Sequence, residues 1–312
     1  MATEDGESTR LSLDTGTEVE AVVYAQRDSG ARPKCLLLHG NPGSLAHWEQ
    51  LIPRLSDVAD IAAIDLPGFG KSDRPSQGPK ALSLERLAEH SLSVKRALDW
   101  HEPVFLVGHS HGGGVAQIAA ARFPNLVAGL VLIGTLGAPV HASYRLLSLP
   151  GASAVVRIVG RLLRVPRLRR LNRAIVRRVM VDLFSPDAVP ADKLEHELTL
   201  LTSRPQILES MVHVALGRPC TELHRAAPQI RCPTLFVHGS NDAVVPARCA
   251  RAIHDRITES GGSSAFHTFE GAGHMLMRKQ APELADAVIH FLREQELDLS
   301  RQGRRPPLTL LP

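Results

Sequence analysis

Short runs of apolar, often β-branched residues alternate along this 312-residue chain with longer amphipathic stretches. The runs predict strands at 19–25, 34–39, 60–65, 103–109, 126–134, 233–239 and 264–271. Leucines at helical spacing behind Ser83 predict a helix over 84–98, and a stretch of small residues predicts another over 113–122. Pro246 and Pro282 each fit the first turn of a following helix, where the missing N–H costs nothing. This alternation is typical of an α/β fold on a mostly parallel sheet.

The alternation stops between about 137 and 222, where the sequence is poor in strand-like runs and rich in proline, and it resumes at Pro228. We interpret 137–222 as a helical cap inserted into one α/β core, whose two parts span 1–136 and 223–297. The last segment, 298–312, has too little apolar content to pack securely and predicts a flexible tail.

The composition is that of a soluble globular protein, with 44% hydrophobic and 22% charged residues. No apolar run approaches the roughly 18 residues that a membrane span needs. The opening segment MATEDGESTR lacks the basic and apolar regions of a secretory signal, so we expect a cytoplasmic protein. The four cysteines have no C-x-x-C spacing, which predicts free thiols rather than a zinc site or a disulfide framework.

Positive charge is concentrated in one part of the predicted cap. Residues 157–180 carry nine arginines and no acid, and without these nine the net charge of +4 becomes −5. Because the basic character belongs to one segment, we expect no nucleic-acid partner. Three interpretations stay open: a solvated basic face of cap helices, a receptor for an anionic small-molecule substrate, or peripheral contact with an anionic membrane.

The segment GHSHGGG at 108–114 directly follows a predicted strand and opens a predicted helix. A G-x-S-x-G sequence in that setting is typical of a nucleophile elbow; the alternative is a glycine-rich turn with an incidental serine. Gly108 and Gly112 leave room where the backbones of a sharp turn approach each other. We therefore predict Ser110 as the nucleophile, with the N–H of His111 at a helix N-terminus facing a developing oxyanion.

A serine nucleophile needs a base, and the base needs an acid that orients it. Asp242 follows one predicted strand in VHGSNDAVVP, and His274 follows the last one in FEGAGHMLM. Both lie at the carboxyl edge of the sheet, where open α/β sheets hold their sites. We predict His274 as the base and Asp242 as the acid, with Asp255 and Glu270 as remaining alternatives for the acid.

A second oxyanion donor is expected from the loop LLLHGNPGS at 36–44. Pro42 has no N–H, so the backbone N–H of Asn41 is the natural donor; the alternative is a plain Asn-Pro-Gly turn. Among the other histidines, His39 and His238 end strands in His-Gly pairs, where a structural hydrogen bond is the expected role. His109, like the side chain of His111, is expected to face away from Ser110 or to line the pocket.

Five motifs in this order resemble those of the α/β-hydrolase superfamily over roughly residues 18–296. They are HGNPG at 39, DLPGFGKSD at 65, GHSHGG at 108, GSNDAVVP at 239 and GAGHM at 271. The resemblance implies an eight-stranded, mostly parallel sheet with helices on both faces and a helical cap after the sixth strand. The HGNPG loop is also similar to that of haloalkane dehalogenases and epoxide hydrolases, which use an aspartate nucleophile. Attack on an alkyl carbon by Ser110 would leave an ether that water does not cleave, so the serine favours acyl chemistry.

These observations predict a serine hydrolase of the carboxylic ester class, cleaving an ester, thioester or related acyl bond of a small molecule. The mechanism needs no metal and no organic cofactor. Carbon–carbon bond hydrolysis, acyl transfer, and cofactor-free lyase or perhydrolase chemistry use the same triad and stay open as alternatives. A non-catalytic ligand receptor on the same scaffold is a further alternative. The sequence does not determine the oligomeric state.

Overall fold

The computed structural model describes residues 6–25, 32–76, 79–138 and 219–301, together with eleven single positions between 158 and 210. The described residues form one eight-stranded sheet with the order β1-β2-β4-β3-β5-β6-β7-β8. The strands are β1 Glu7–Ser12, β2 Glu18–Tyr24, β3 Lys34–Leu38, β4 Asp60–Ile64, β5 Val104–His109, β6 Val127–Ile133, β7 Thr234–Gly239 and β8 Ser264–Phe269. β2 is antiparallel to both neighbours, and the pairs from β4 through to β8 are parallel. The predicted α/β fold with a mostly parallel sheet is confirmed.

Seven of these strands lie within two residues of the predicted ranges, and β1 is the one that the pattern missed. Its sequence, ESTRLS, holds a single large apolar residue, Leu11, which is only half-buried. An edge strand with one neighbour buries little surface, so it lacks the apolar run that reveals an inner strand. The central strand β3 is the opposite case, because Leu36, Leu37 and Leu38 are all fully buried.

Helices pack against the sheet, and the two whose ranges were predicted, 84–98 and 113–122, begin and end within two residues of those ranges. They are α1 Ile52–Leu55, α2 Leu84–Ala97, α3 His111–Arg122, α4 Pro219–Ala226, α5 Ala247–Glu259, α6 Leu276–Lys279 and α7 Ala281–Arg301. Ser83 caps α2 as expected, its hydroxyl accepting a hydrogen bond from the N–H of Arg86 at 3.3 Å. Pro282 lies in the first turn of α7, whereas Pro246 is the N-cap of α5 and not part of its first turn.

Few positions of the predicted cap belong to the described residues. Between 139 and 218 these are eleven single positions, of which ten are helical. Leu194, Leu198 and Ile207 are buried, and Arg173 forms an ion pair with Glu195. Ile158, Val165, Ala174 and Arg177 of the arginine-rich segment are exposed, and its remaining residues lie outside the described residues. The cap boundaries at 137 and 222 therefore stay predictions. At the other end, α7 extends to Arg301, into the segment predicted as a tail, and 302–312 lie outside the described residues.

The topology gathers the predicted catalytic side chains at one edge of the sheet. β5, β6, β7 and β8 are adjacent and parallel, so their carboxyl ends meet at the same edge. Ser110 directly follows β5, Asp242 lies three residues after β7, and His274 lies five residues after β8. The carboxyl edge of a parallel sheet is where α/β folds hold their sites, because loops there converge around helix N-termini.

Candidate active site

Ser110 occupies a sharp turn between β5 and α3. Its backbone has φ 51° and ψ −112°, a region that L-residues rarely adopt. The turn is held by the N–H of Ser110, which donates to the carbonyl of Ile133 at 3.0 Å, and by the carbonyl of Ser110, which accepts from Leu136 at 3.1 Å. Backbone strain at a turn that is fixed from both sides is typical of a functional position.

Gly108 and Gly112 make this turn sterically feasible. A Cβ on Gly108 would lie 2.6 Å from the carbonyl oxygen of Gly112, and one on Gly112 would lie 2.1 Å from that of Leu38. Both obstacles are backbone atoms, which cannot rotate away. The glycines of the G-x-S-x-G sequence are therefore required by the close approach of three backbone segments.

Asp242 and His274 form a buried hydrogen-bonded pair. Nδ1 of His274 lies 2.7 Å from Oδ2 of Asp242, and the Oδ1 atom of Asp242 accepts the N–H groups of Val244 at 2.9 Å and Val245 at 2.8 Å. Burial raises the pKa of Asp242, but the charge of His274 and the hydrogen bonds from His238 and His274 outweigh it and hold that pKa well below its usual range. Asp242 is therefore a carboxylate that fixes the ring of His274 through Nδ1.

The pair lies beside the serine turn. Gly134 follows Ile133, whose carbonyl binds the N–H of Ser110; a Cβ on Gly134 would lie 3.2 Å from Nδ1 of His274 and 3.4 Å from Oδ2 of Asp242. Within the described residues, the Ser110 hydroxyl makes no hydrogen bond with the imidazole of His274. Such bonds between nucleophile and base are often long without substrate and tighten in the reacting complex.

His109 contacts the candidate base directly. Its Nε2 lies 3.1 Å from the carbonyl oxygen of His274, and the two ring centroids are 4.7 Å apart. Burial lowers the pKa of His109 well below its ordinary value, and the charges of His274 and His47 lower it further. His109 is therefore a neutral ring packed against the base, a contact that the sequence pattern did not predict.

The predicted oxyanion donors border the same turn. His111 is the first residue of α3, where backbone N–H groups have no partner within the helix. The loop that carries Asn41 lies against Ser110, since a Cβ on Gly40 would be 3.1 Å from the Cβ of Ser110. The Asn41–Pro42 peptide bond is cis. The use of the N–H groups of Asn41 and His111 as oxyanion donors stays a prediction.

The competing side chains lie elsewhere or have structural partners. Asp255 and Glu270 are exposed. His39 accepts the N–H of Leu66 through Nε2 at 2.9 Å, which is the structural role expected of it. His238 bonds the carbonyl of Val245 and, beyond expectation, lies against Asp242. Its position four residues before Asp242, across the turn that ends β7, was the available sequence signal.

A family model described as the α/β hydrolase fold matches residues 36–278. The chain belongs to the α/β-hydrolase fold family. An uncharacterized protein of Mycobacterium tuberculosis is 28% identical to this α/β hydrolase over 276 residues, covering 87% of this chain and 79% of the relative. The 2-hydroxymuconate semialdehyde hydrolase of Pseudomonas sp. (strain CF600) is 29% identical over 279 residues, covering 86% of this chain and 90% of the relative.

Solved structures share the same fold. A thermophilic esterase from Thermogutta terrifontis, solved with malate bound, superposes with a TM-score of 0.69 at 24% identity, covering 93% of this chain and 99% of the esterase. Family membership and the names of the relatives together support a hydrolase as the enzyme class. These names include both an esterase and a 2-hydroxymuconate semialdehyde hydrolase, so the bond that this α/β hydrolase cleaves is a separate question.

Three further observations concern the described part of the α/β hydrolase. No helix there is both long enough and apolar enough to cross a bilayer. No three His, Cys, Asp or Glu side chains there are grouped as a metal site requires. A cavity of about 490 Å³ lies away from Ser110, between α2, α3 and α4, and is lined by residues that include Glu85, Arg122 and Glu222.

Proposed function

We propose that this α/β hydrolase is a serine hydrolase that cleaves an ester, thioester or related acyl bond of a small molecule. The observation that carries the proposal is the buried Asp242–His274 pair, held beside a serine in a strained strand-to-helix turn. An imidazole fixed through Nδ1 presents Nε2 as the proton acceptor, which is what a serine hydroxyl needs for attack on a carbonyl.

In the proposed first step, Oγ of Ser110 attacks the substrate carbonyl while Nε2 of His274 takes the hydroxyl proton. The ionised Asp242 stabilises the resulting imidazolium, and the N–H groups of Asn41 and His111 bind the oxyanion. Collapse expels the alcohol or thiol, which leaves with the proton from His274. Water then attacks the acyl-enzyme by the same route, which releases the acid and restores Ser110.

A direct test is labelling by a fluorophosphonate probe, with the adduct mapped by mass spectrometry. We expect labelling at Ser110 and turnover of p-nitrophenyl esters of graded chain length by the wild type. Ser110→Ala should abolish both labelling and turnover. The control Ser56→Ala, which removes an exposed hydroxyl that donates a hydrogen bond to the carbonyl of Pro53, should change neither. Labelling at another residue, or equal turnover by Ser110→Ala, would contradict the proposal.

Carbon–carbon bond hydrolysis is the second candidate, and the similarity to 2-hydroxymuconate semialdehyde hydrolase favours it. Parallel assays with that semialdehyde and with the p-nitrophenyl esters separate the two candidates by kcat/KM. The salt dependence of KM tests one of the three interpretations of the arginine-rich segment, namely that it receives an anionic substrate. A KM that is independent of ionic strength would remove the arginine-rich segment from substrate binding.

A further inference from the structure

The carboxylate of Asp242 is surrounded by four N–H groups. Oδ1 accepts the backbone N–H groups of Val244 and Val245. Oδ2 lies 2.7 Å from Nδ1 of His274 and 3.2 Å from Nε2 of His238. The candidate acid is therefore held between two imidazole rings, only one of which belongs to the proposed triad.

The surroundings of His238 fix where its proton lies. The side chain is fully buried, and Nε2 lies 2.7 Å from the carbonyl oxygen of Val245 as well as near Oδ2 of Asp242. A nitrogen that faces two oxygens must carry the hydrogen. Nδ1 is buried without a partner, so a proton there would be an unsatisfied donor. His238 therefore carries its hydrogen on Nε2, and this N–H is shared between the two oxygens.

We propose that His238 is a positioning residue, which uses this shared N–H to orient the Asp242 carboxylate toward His274 and to anchor the loop that carries it at Val245. The proposal rests on the proposed function, since it assigns His238 a role through the Ser110–His274–Asp242 relay. It goes beyond that function because the three-residue relay does not require a second imidazole on the acid.

The shared N–H has two consequences for the reaction. It limits the rotation of Oδ2, so its loss lets the carboxylate and the His274 ring reorient, which lowers kcat and leaves KM nearly unchanged. It also withdraws charge from Oδ2, so its loss leaves more negative charge facing His274 and favours the imidazolium. The acidic limb of the pH–rate profile then moves to higher pH.

Other titratable groups face this pair and stay the same in all variants. His109 packs on His274 from the end of β5, and His47 lies beyond it, with ring centroids of His47 and His109 6.3 Å apart. On the α5 side, the charge of Asp242 acts on the thiol of Cys249, as does that of Arg248. A shift of the profile on substitution of His238 alone is therefore attributable to its N–H.

The test compares three substitutions at position 238. His238→Phe keeps a flat ring and removes the N–H; His238→Gln places an amide N–H near the position of Nε2; His238→Asn has an amide that does not reach. We expect kcat to fall by roughly 10- to 100-fold in the Phe and Asn variants, the range for loss of a hydrogen bond to a charged group. The acidic limb of the pH–rate profile should move to higher pH in the Phe and Asn variants. His238→Gln should recover most of kcat and the wild-type profile.

His254→Phe is the matched control. Both His238 and His254 pack against the ring of Phe266, with centroid distances of 6.3 Å and 5.7 Å, but the contacts of His254 are with Ser264 and the Phe236 ring rather than with Asp242. We expect wild-type kinetics in this variant. If His238→Phe does not fold, as judged by circular dichroism, the comparison of His238→Gln with His238→Asn tests the proposal. Folded Phe or Asn variants with the wild-type kcat and pH profile, or a Gln variant as impaired as Asn, would overturn the proposal.

A readout without turnover separates this inference from the proposed function. The His274 Nδ1 proton, bonded to Asp242, should give a low-field proton NMR resonance that moves further downfield in His238→Phe and not in His254→Phe. An unchanged resonance would count against His238 even in a fully active enzyme. Conversely, an enzyme that is indifferent to Ser110→Ala but shows the NMR shift would refute the proposed function and leave the role of His238 at Asp242 intact.

Discussion

The Nε2 atom of His109 lies 3.1 Å from the carbonyl oxygen of His274, although 165 positions separate the two residues in the chain. The residue that precedes the candidate nucleophile thus binds the backbone of the candidate base. Because His109 is the last residue of β5, the hydrogen bond ties the loop after β8 to a central strand of the sheet. The relative position of Ser110 and His274 therefore depends on His109.

Replacement of His109 by Phe should lower kcat by roughly 3- to 30-fold, the effect of one buried hydrogen bond on the position of the base. KM should change little, because the bond holds His274 and not substrate. His101→Phe is the control, since the His101 side chain is 84% exposed and bonds only the exposed Asp99. Steady-state kinetics on a p-nitrophenyl ester provide the measurement, and equal kcat values for the two variants would contradict the role of His109.

Substitutions of Gly112 and Gly114 test whether steric contacts require glycine in the turn at Ser110. In Gly112→Ala the new Cβ meets the backbone carbonyl of Leu38 at 2.1 Å, so Tm should fall by more than about 5 °C or folding should fail. In Gly114→Ala the nearest atoms are side-chain carbons at 3.5 Å, an ordinary contact, and alanine is the better helix former. Tm should then rise by about 1–3 °C. Similar Tm values for the two variants by differential scanning fluorimetry would refute the account.

The His111 ring should make the protein less stable in mild acid. Both ring nitrogens are buried without partners, and burial lowers the pKa of His111 to about 4. In the unfolded chain His111 takes up a proton near its ordinary pKa of 6.5, whereas in the folded protein it does not. The free energy of unfolding is therefore full above pH 6.5 and declines as the pH falls toward 4. Between pH 7 and pH 5 this one group removes about 2 kcal/mol of unfolding free energy.

His111→Leu removes the titrating group and both unpaired nitrogens. Urea unfolding at pH 7 and pH 5 should therefore show a loss of stability smaller by about 2 kcal/mol than in the wild type. His101→Leu, at an exposed site, should keep the wild-type loss. A His111→Leu variant whose stability falls as steeply as that of the wild type would exclude His111 as the source.

Glu222 should have the opposite effect to His111, because its contribution makes the protein more stable as the pH falls. Burial raises its pKa, as does the charge of Glu85, with Arg122 opposing, and its Oε1 atom is buried without a hydrogen bond. The folded state thus disfavours the carboxylate, and stability rises as the pH falls through this raised pKa toward 4.5, the ordinary value. Glu222→Gln should raise Tm by about 1–3 °C at pH 7.5 and have no effect below pH 4. The exposed Glu259→Gln should have no effect at either pH, and a Glu222→Gln variant that behaves likewise would contradict the argument.

The sequence predicted those parts of the fold that are buried on both sides. Inner strands such as β3 and β5 are continuous apolar runs because helices cover both faces, and their ends were found within two residues. Strand β1 was not predicted because its polar residues face solvent at the edge of the sheet. Pro246 was misassigned by one position because proline is tolerated at an N-cap as well as in the first turn.

For the site, chain order and strand ends were enough to predict that Asp242 and His274 meet, since adjacent parallel strands bring their following loops together. The partners of His109 and His238 could not be predicted in this way. Their contacts depend on how far each ring reaches past the end of its strand, into a loop that follows a different strand or a turn. Side-chain reach of that kind is set by packing and leaves no periodic trace in the sequence.

The left-handed backbone of Ser110 also limits what evolution can place at this corner. A side chain that is unbranched at Cβ, such as that of cysteine or aspartate, can replace serine there, whereas threonine adds a branch at Cβ that a positive φ tolerates poorly. The backbone of this turn thus admits more than one reactive group without rebuilding, and it constrains the residue at position 110 by shape rather than by chemical type.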